Sequence, residues 1–153
     1  MIYKEDCKKM SDIKKYKIGY TQGTFDMFHI GHLNLINNAK KYCDYLIVGV
    51  NSDSLVMEYK QKTPVICQQH RELIVHNLKA VDNTFIANTL DKEELFRTVK
   101  YDAIFIGDDW ADNKRWLDTK EKLGKLGIDV VFLPHTDNIS STILRDKKNA
   151  IEE

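Results

Sequence analysis

Gly23-Thr24-Phe25-Asp26-Met27-Phe28-His29-Ile30-Gly31-His32 sets a small-residue turn and two histidines, three positions apart, between two patterned segments. Before it, Tyr16 to Gln22 reads as a short strand. After it, Leu33, Leu35, Ile36, Ala39 and Tyr42 give roughly the apolar face of a helix. A turn that leaves the carboxyl end of a strand and opens a helix is where α/β proteins hold anions, because unpaired backbone N–H groups there face the ligand. The two histidines add polar donors at the same place.

Outward from this turn the pattern repeats. Tyr45 to Val50 is a nearly continuous apolar run, as expected of a parallel strand covered on both faces. Residues 52–66 are polar with one proline and read as a long loop. Gln68 to Lys79 carries a helical stripe of Leu73, Ile74, Asn77 and Leu78, and Asn83 to Ala87 is a short strand. Asp91 with Glu94 resembles an N-cap and capping box for a helix that buries Leu95, Phe96 and Val99. Ala103 to Ile106 is a fourth strand, Asn113 to Leu126 a helix stopped by Gly127, Val130 to Leu133 a fifth strand, and Ser140 or Ser141 opens a last helix. Strand and helix alternate about five times, which predicts an α/β fold: one doubly wound, Rossmann-like parallel sheet of about five strands with helices on both faces. The first and fourth strands end in G-T-F-D and G-D-D-W, so both segments belong to one rim.

The 153 residues suit a single domain, taken as 16–150 behind a polar, lysine-rich extension at 1–15. Lysine plus arginine and aspartate plus glutamate both number 23, so no net field recruits nucleic acid or an anionic membrane. Cys7, Cys43 and Cys67 are odd in number and form no C-x-x-C pair, against a disulfide framework or a zinc site. No apolar run nears the roughly 18 residues of a bilayer span. The cytoplasm is the expected compartment, without membrane insertion. Gly19, Gly23 and Gly31 do not make the G-x-G-x-x-G spacing of a nicotinamide cofactor site.

Three further segments follow in order: Gln69-His70-Arg71-Glu72, Gly107-Asp108-Asp109-Trp110, and Thr136-Asp137-Asn138-Ile139-Ser140-Ser141-Thr142. With G-T-F-D and H-I-G-H they resemble the cytidylyltransferase family of the nucleotidyltransferase superfamily, in particular its glycerol-3-phosphate cytidylyltransferases, over about residues 16–148. The resemblance implies transfer of the cytidylyl group of CTP to glycerol 3-phosphate, giving CDP-glycerol, a teichoic acid or capsule precursor, and pyrophosphate. It also implies Mg2+ with the CTP and a homodimer.

Such a reaction needs positioning and charge stabilisation more than a base, since a phosphate monoester with a second pKa near 6 is already mostly dianionic. By the resemblance His29 and His32 contact the triphosphate and stabilise the transition state. Gly23, Thr24, Phe25 and Gly31 lie against phosphates or ribose. Asp26 either fixes the turn or holds magnesium. Ser140, Ser141 and Thr142 cradle the β and γ phosphates at a helix start, with Ser141 among the catalytic groups, and one serine also serves as N-cap. Lys60 and Lys62 match the family's acceptor-phosphate lysines if one residue is inserted before them. Arg71 offers a phosphate fork, and Lys79 stands where the group often has arginine. Gly107, Asp109 and Trp110 hold the nucleotide and backbone groups nearby read the cytosine edge, with packing as the other reading of Trp110. His135, Thr136 and Ile139 complete the set. Two positions depart from the family's R-T-x-G-I-S-T-T ending: His135 replaces the arginine and Asn138 the glycine.

Other readings share these residues. The acceptor is alternatively another small phosphorylated alcohol or amine, such as phosphocholine, phosphoethanolamine or a modified glycerol phosphate. The nucleotide is alternatively ATP, and a catalytically silent, nucleotide-binding regulatory module is a reading from a different class.

Overall fold

The computed structural model describes residues 14–137 and 139–152. Asn138 and all but the last two residues of the expected extension lie outside them. Five strands, β1 (Tyr16–Gly23), β2 (Cys43–Asn51), β3 (Asn83–Ala87), β4 (Ala103–Gly107) and β5 (Asp129–Leu133), form one parallel sheet in the order β3-β2-β1-β4-β5. Among the described residues six helices accompany it: α1 (Ile30–Lys40), α2 (Asp53–Lys60), α3 (Gln68–His76), α4 (Lys92–Val99), α5 (Lys114–Lys125) and α6 (Ser141–Glu152), with a 3-10 turn at Asp108–Trp110. The doubly wound, Rossmann-like expectation is met. Among the described residues no helix is long and apolar enough to cross a membrane.

The strands are covered on both faces. Leu46, Val48 and Val50 of β2 pack with Ile36 and Ala39 of α1 and Val75 of α3, while Ile47 joins Tyr20, Leu95, Trp116 and Leu123 beneath α4 and α5. Alternation therefore sends successive apolar residues into two cores, which is why β2 reads as an unbroken apolar run. From β1 the chain steps outward to β2 and β3, then returns to β4 on the other side of β1. The order reverses between β1 and β4, and their carboxyl ends, Gly23 and Gly107, border the crevice such a reversal opens. Gly127, at φ +80°, ends α5 as a left-handed stop.

Two expectations fail. Residues 52–66 are not a long loop, because Asp53–Lys60 is helical. Ser52 caps it, accepting the Leu55 N–H, and Leu55 and Val56 are buried beneath it. Asp53 and Gln68 exchange hydrogen bonds, fastening the start of α2 to the start of α3. The stripe read across 68–79 is also misplaced: α3 ends at His76, Leu73 and Ile74 are exposed, and the buried face carries Arg71 and Val75. Asp91 does cap α4, accepting the N–H groups of Glu93 and Glu94.

Candidate active site

The turn after β1 is held by its own aspartate. Phe25 (φ 54°) and Met27 (φ 49°) are both left-handed and flank Asp26, an arrangement that costs on the order of 1 kcal/mol per residue and needs outside support. Asp26 is 2% exposed. Its Oδ2 accepts the Val65 N–H at 2.8 Å and Arg145 Nη2 at 2.7 Å, and its Oδ1 accepts the Ile66 N–H at 2.9 Å. Burial alone would raise its pKa, but these hydrogen bonds and the Arg145 charge outweigh it and hold the carboxyl below its usual range. With three donors on its two oxygens, Asp26 fixes the turn.

His29 is the N-cap of α1, and with His32 it makes a capping box out of imidazoles. The Gly31 N–H donates to His29 Nδ1 at 3.0 Å, and the His29 N–H donates to His32 Nδ1 at 3.3 Å. Each Nδ1 is thus an acceptor, and this pattern assigns the proton of both rings to Nε2. The rings stack with centroids 3.7 Å apart. A Cβ on residue 31 would lie 2.8 Å from His29 Cε1, so glycine there lets the ring lie against the helix start. Burial lowers the His29 pKa, and burial together with the His29 charge pushes His32 down to about 4 against the opposing pull of Asp26. Near neutral pH the helix start therefore carries two uncharged rings, each with Nε2–H to donate.

Arg71 does not present a fork to phosphate. It is 1% exposed and spends itself inside the protein. Its Nε donates to Ile66 O, Nη1 to Thr24 O and Asn51 O, and Nη2 to Asp53 Oδ1 at 2.6 Å. It thereby ties the ends of β1 and β2 to the start of α2. Above it, Thr24 Oγ1 meets the Tyr59 hydroxyl at 3.0 Å, and Asn51 Nδ2 donates to that hydroxyl at 3.2 Å. Gln22 Nε2 holds Asn51 Oδ1 at 2.7 Å, and Lys92 Nζ donates to Gln22 Oε1 at 3.1 Å. Burial, then repulsion from Arg115, push the Lys92 ammonium down to about 7, against Asp91.

Lys60 closes α2 and Lys62 follows it beyond the left-handed Gln61, both exposed. Lys79 is elsewhere. It lies in the α3–β3 connection, at the amino ends of the strands and so at the end of the sheet opposite the G-T-F-D turn.

The final segment comes back to this turn. Asn34 of α1 donates to Thr136 Oγ1 at 2.9 Å, Ile139 lies against Gly31, and Ser141 Oγ donates to Asp26 O. Ser140 is the N-cap of α6, accepting the Ile143 N–H at 3.0 Å, and Thr142 is exposed. Beyond β4, Asp109 and Trp110 are exposed, and the Asp109 carboxylate folds back towards Gly107. His135 is clamped between carboxylates, Nδ1 on Asp108 Oδ1 and Nε2 on Asp137 Oδ1 at 3.0 Å. The hydrogen bond to Asp108, then its charge, raises the His135 pKa and lowers that of Asp108.

One rim thus gathers segments read as four separate motifs. The model of the cytidylyltransferase-like family matches residues 20–147. The chain belongs to the cytidylyltransferase-like family. It is similar to the glycerol-3-phosphate cytidylyltransferase of Bacillus subtilis, with 33% identity over 128 residues, 83% of this chain and 93% of that one. It is also 33% identical over 135 residues to the bifunctional protein HldE of Desulfatibacillum aliphaticivorans, covering 87% of this chain and 27% of that longer protein. Among solved structures, the lipopolysaccharide core biosynthesis protein of Thermoplasma volcanium superposes with a TM-score of 0.69 at 28% identity, covering 80% of this chain and 99% of that one. Membership makes this chain a nucleotidyltransferase by family.

The sequence reading passed over Gln22, Asn51, Tyr59, Lys92 and Arg145. Asn51 had a signal, as the polar residue that ends the Tyr45–Val50 run at the strand's carboxyl end, where ligands bind. Arg145 had none, since its partner is 119 residues away.

Proposed function

We propose that this family member transfers the cytidylyl group of CTP to glycerol 3-phosphate, forming CDP-glycerol and releasing pyrophosphate. The observation that carries the reading is the pair of uncharged Nε2–H donors that His29 and His32 bring to the start of α1, beside residues 136–142. An oxygen of the acceptor phosphate attacks the α-phosphorus, and the bond from that phosphorus to the α–β bridging oxygen breaks. Negative charge grows on the departing pyrophosphate, and fixed neutral donors stabilise it without giving up a proton. No protein base is required, because the acceptor phosphate is already dianionic. Lys60 and Lys62 supply the cationic charge for that phosphate, and the positive ends of the α1 and α6 helix dipoles favour the triphosphate.

Magnesium belongs to the triphosphate in this reading. Asp26 is engaged by three donors that fix the turn, and among the described residues no group of three or more His, Cys, Asp or Glu could hold a metal ion. Glycerol 3-phosphate is preferred because a relative of nearly matching length bears that name. Because relatives of other names match over similar lengths of the chain, a second reading stands beside it, in which the same site serves another small phosphorylated acceptor or takes ATP.

Pyrophosphate release with CTP or ATP across a panel of phosphorylated alcohols, amines and sugars tests this. Turnover confined to CTP with glycerol 3-phosphate supports the first reading. Turnover with a different acceptor replaces it by the second, and CTP binding without any turnover defeats both.

A further inference from the structure

Tyr59 is 38% exposed, yet its hydroxyl is fixed by two groups of the sheet's rim. Thr24 Oγ1 lies 3.0 Å away and Asn51 Nδ2 3.2 Å away. Asn51 is itself 4% exposed and held by Gln22, so the anchor is rigid while the side chain that reaches it comes from outside the sheet. Directly after Tyr59 the helix stops: Lys60 is its last residue, with Nζ 5.6 Å from the Tyr59 ring centroid, and Gln61 turns left-handed at φ 55°. Tyr59 is therefore the point where the end of α2 is fastened to the Gly23–Asp26 turn, and Lys60 leans on the fastening.

We infer that Tyr59 is a positioning residue for the acceptor: its hydroxyl pins the end of α2 to Thr24, and its ring steadies the Lys60 ammonium beside the turn where the acceptor phosphate must arrive. The inference rests on the cytidylyl-transfer reading, in which Lys60 meets that phosphate. Two anions must be brought into attacking distance, and a lysine on an unfastened helix end binds phosphate without placing it. A cation held over an aromatic face has already given up part of the freedom that binding would otherwise remove.

The test compares the wild type with Tyr59→Phe, which keeps the ring and deletes the hydroxyl, Tyr59→Leu, which deletes both, Lys60→Ala, and the Tyr59→Phe/Lys60→Ala double variant. Steady-state kinetics are run with whichever acceptor the wild type turns over. Loss of one hydrogen bond at the fastening raises the acceptor KM about three- to tenfold in Tyr59→Phe. The rise is larger in Tyr59→Leu, falls on the acceptor KM rather than on kcat or the CTP KM, and vanishes in the Lys60→Ala background. An unchanged acceptor KM, additive effects in the double variant, or a parallel fall in Tm, kcat and CTP affinity would each overturn the inference. Absence of wild-type turnover with every acceptor sinks the transfer reading instead. Inorganic phosphate titrated into the same variants by NMR then decides: weaker binding in both Tyr59→Phe and Lys60→Ala supports the inference, and equal binding in wild type and Tyr59→Phe ends it.

Discussion

Arg145 Nη2 lies 2.7 Å from Asp26 Oδ2, joining two residues 119 positions apart and clasping the last helix to the turn after the first strand. In Asp26→Asn the ion pair is lost, and the new carboxamide nitrogen must face a backbone N–H, leaving a donor unpaired. The variant is expected to lose about 2–4 kcal/mol of stability. Arg145→Met leaves the Val65 and Ile66 hydrogen bonds in place and should lose less. Urea denaturation of the two variants checks the ranking, and equal losses would mean that the arginine, not the pair of loop N–H groups, dominates.

The two histidines carry a prediction about protons. Long-range 1H–15N spectra should find the Nε2–H tautomer in both His29 and His32. The unfolded chain takes up a proton near pH 6.5 that folded His32 refuses until about pH 4. Stability from this group is therefore intact above about pH 6.5 and falls as the pH is lowered through that window, by roughly 3 kcal/mol at most. Denaturation curves for wild type and His32→Gln between those limits test it: the variant should lose less.

Lys92 runs the other way along the pH axis. Its pKa is about 7 when folded against an ordinary 10.5. The folded state carries the full penalty of the buried charge below about pH 7, and stability rises as the pH climbs from there towards the unfolded value. Lys92→Met removes the charge and keeps the packing against Trp116, while Tyr20 continues to donate to Gln22 Oε1. A gain in Tm of roughly 3–6 °C is expected at pH 6, shrinking towards zero by about pH 10. A constant difference across that range would locate the effect in packing.

His135, held between Asp108 and Asp137, has a raised pKa owed first to its hydrogen bond with Asp108. Its contribution to holding the Asp108–Trp110 turn against residues 135–137 is complete below its unfolded pKa and is lost as the pH rises through the folded value. If this cation serves the triphosphate, the CTP KM of the wild type rises severalfold on the alkaline side, and His135→Arg flattens the profile. Parallel profiles in the two proteins would remove His135 from the nucleotide site.

Much of this architecture is legible in the residues themselves. Asn83–Ala87 was read with its observed bounds, and the Tyr45–Val50 run lies wholly inside β2, because buried parallel strands need continuous apolar residues. Helix α2 was not legible, since of its eight residues only Leu55 and Val56 are buried and its start is held by partners on α3. The face of α3 was read backwards for a related reason. Hydrophobicity puts Leu73 inside, but the carbonyls of Thr24, Asn51 and Ile66 draw Arg71 inside instead, leaving Leu73 60% exposed. The structure brings the motif segments together at one rim, whereas what each residue does there depends on which groups are already satisfied. Arg71 has the chemistry to hold phosphate, and the fold has spent it on protein carbonyls and Asp53, while Asp26 is engaged in fixing its own turn.

The sheet is complete at Leu133, since the last helix adds no strand to it. Asp26 nevertheless takes part of its support from Ser141 and Arg145, both beyond the last strand. The turn that follows the first strand is thus locked by the segment that follows the last, so the two ends of the sheet's chain order depend on one another at a single rim.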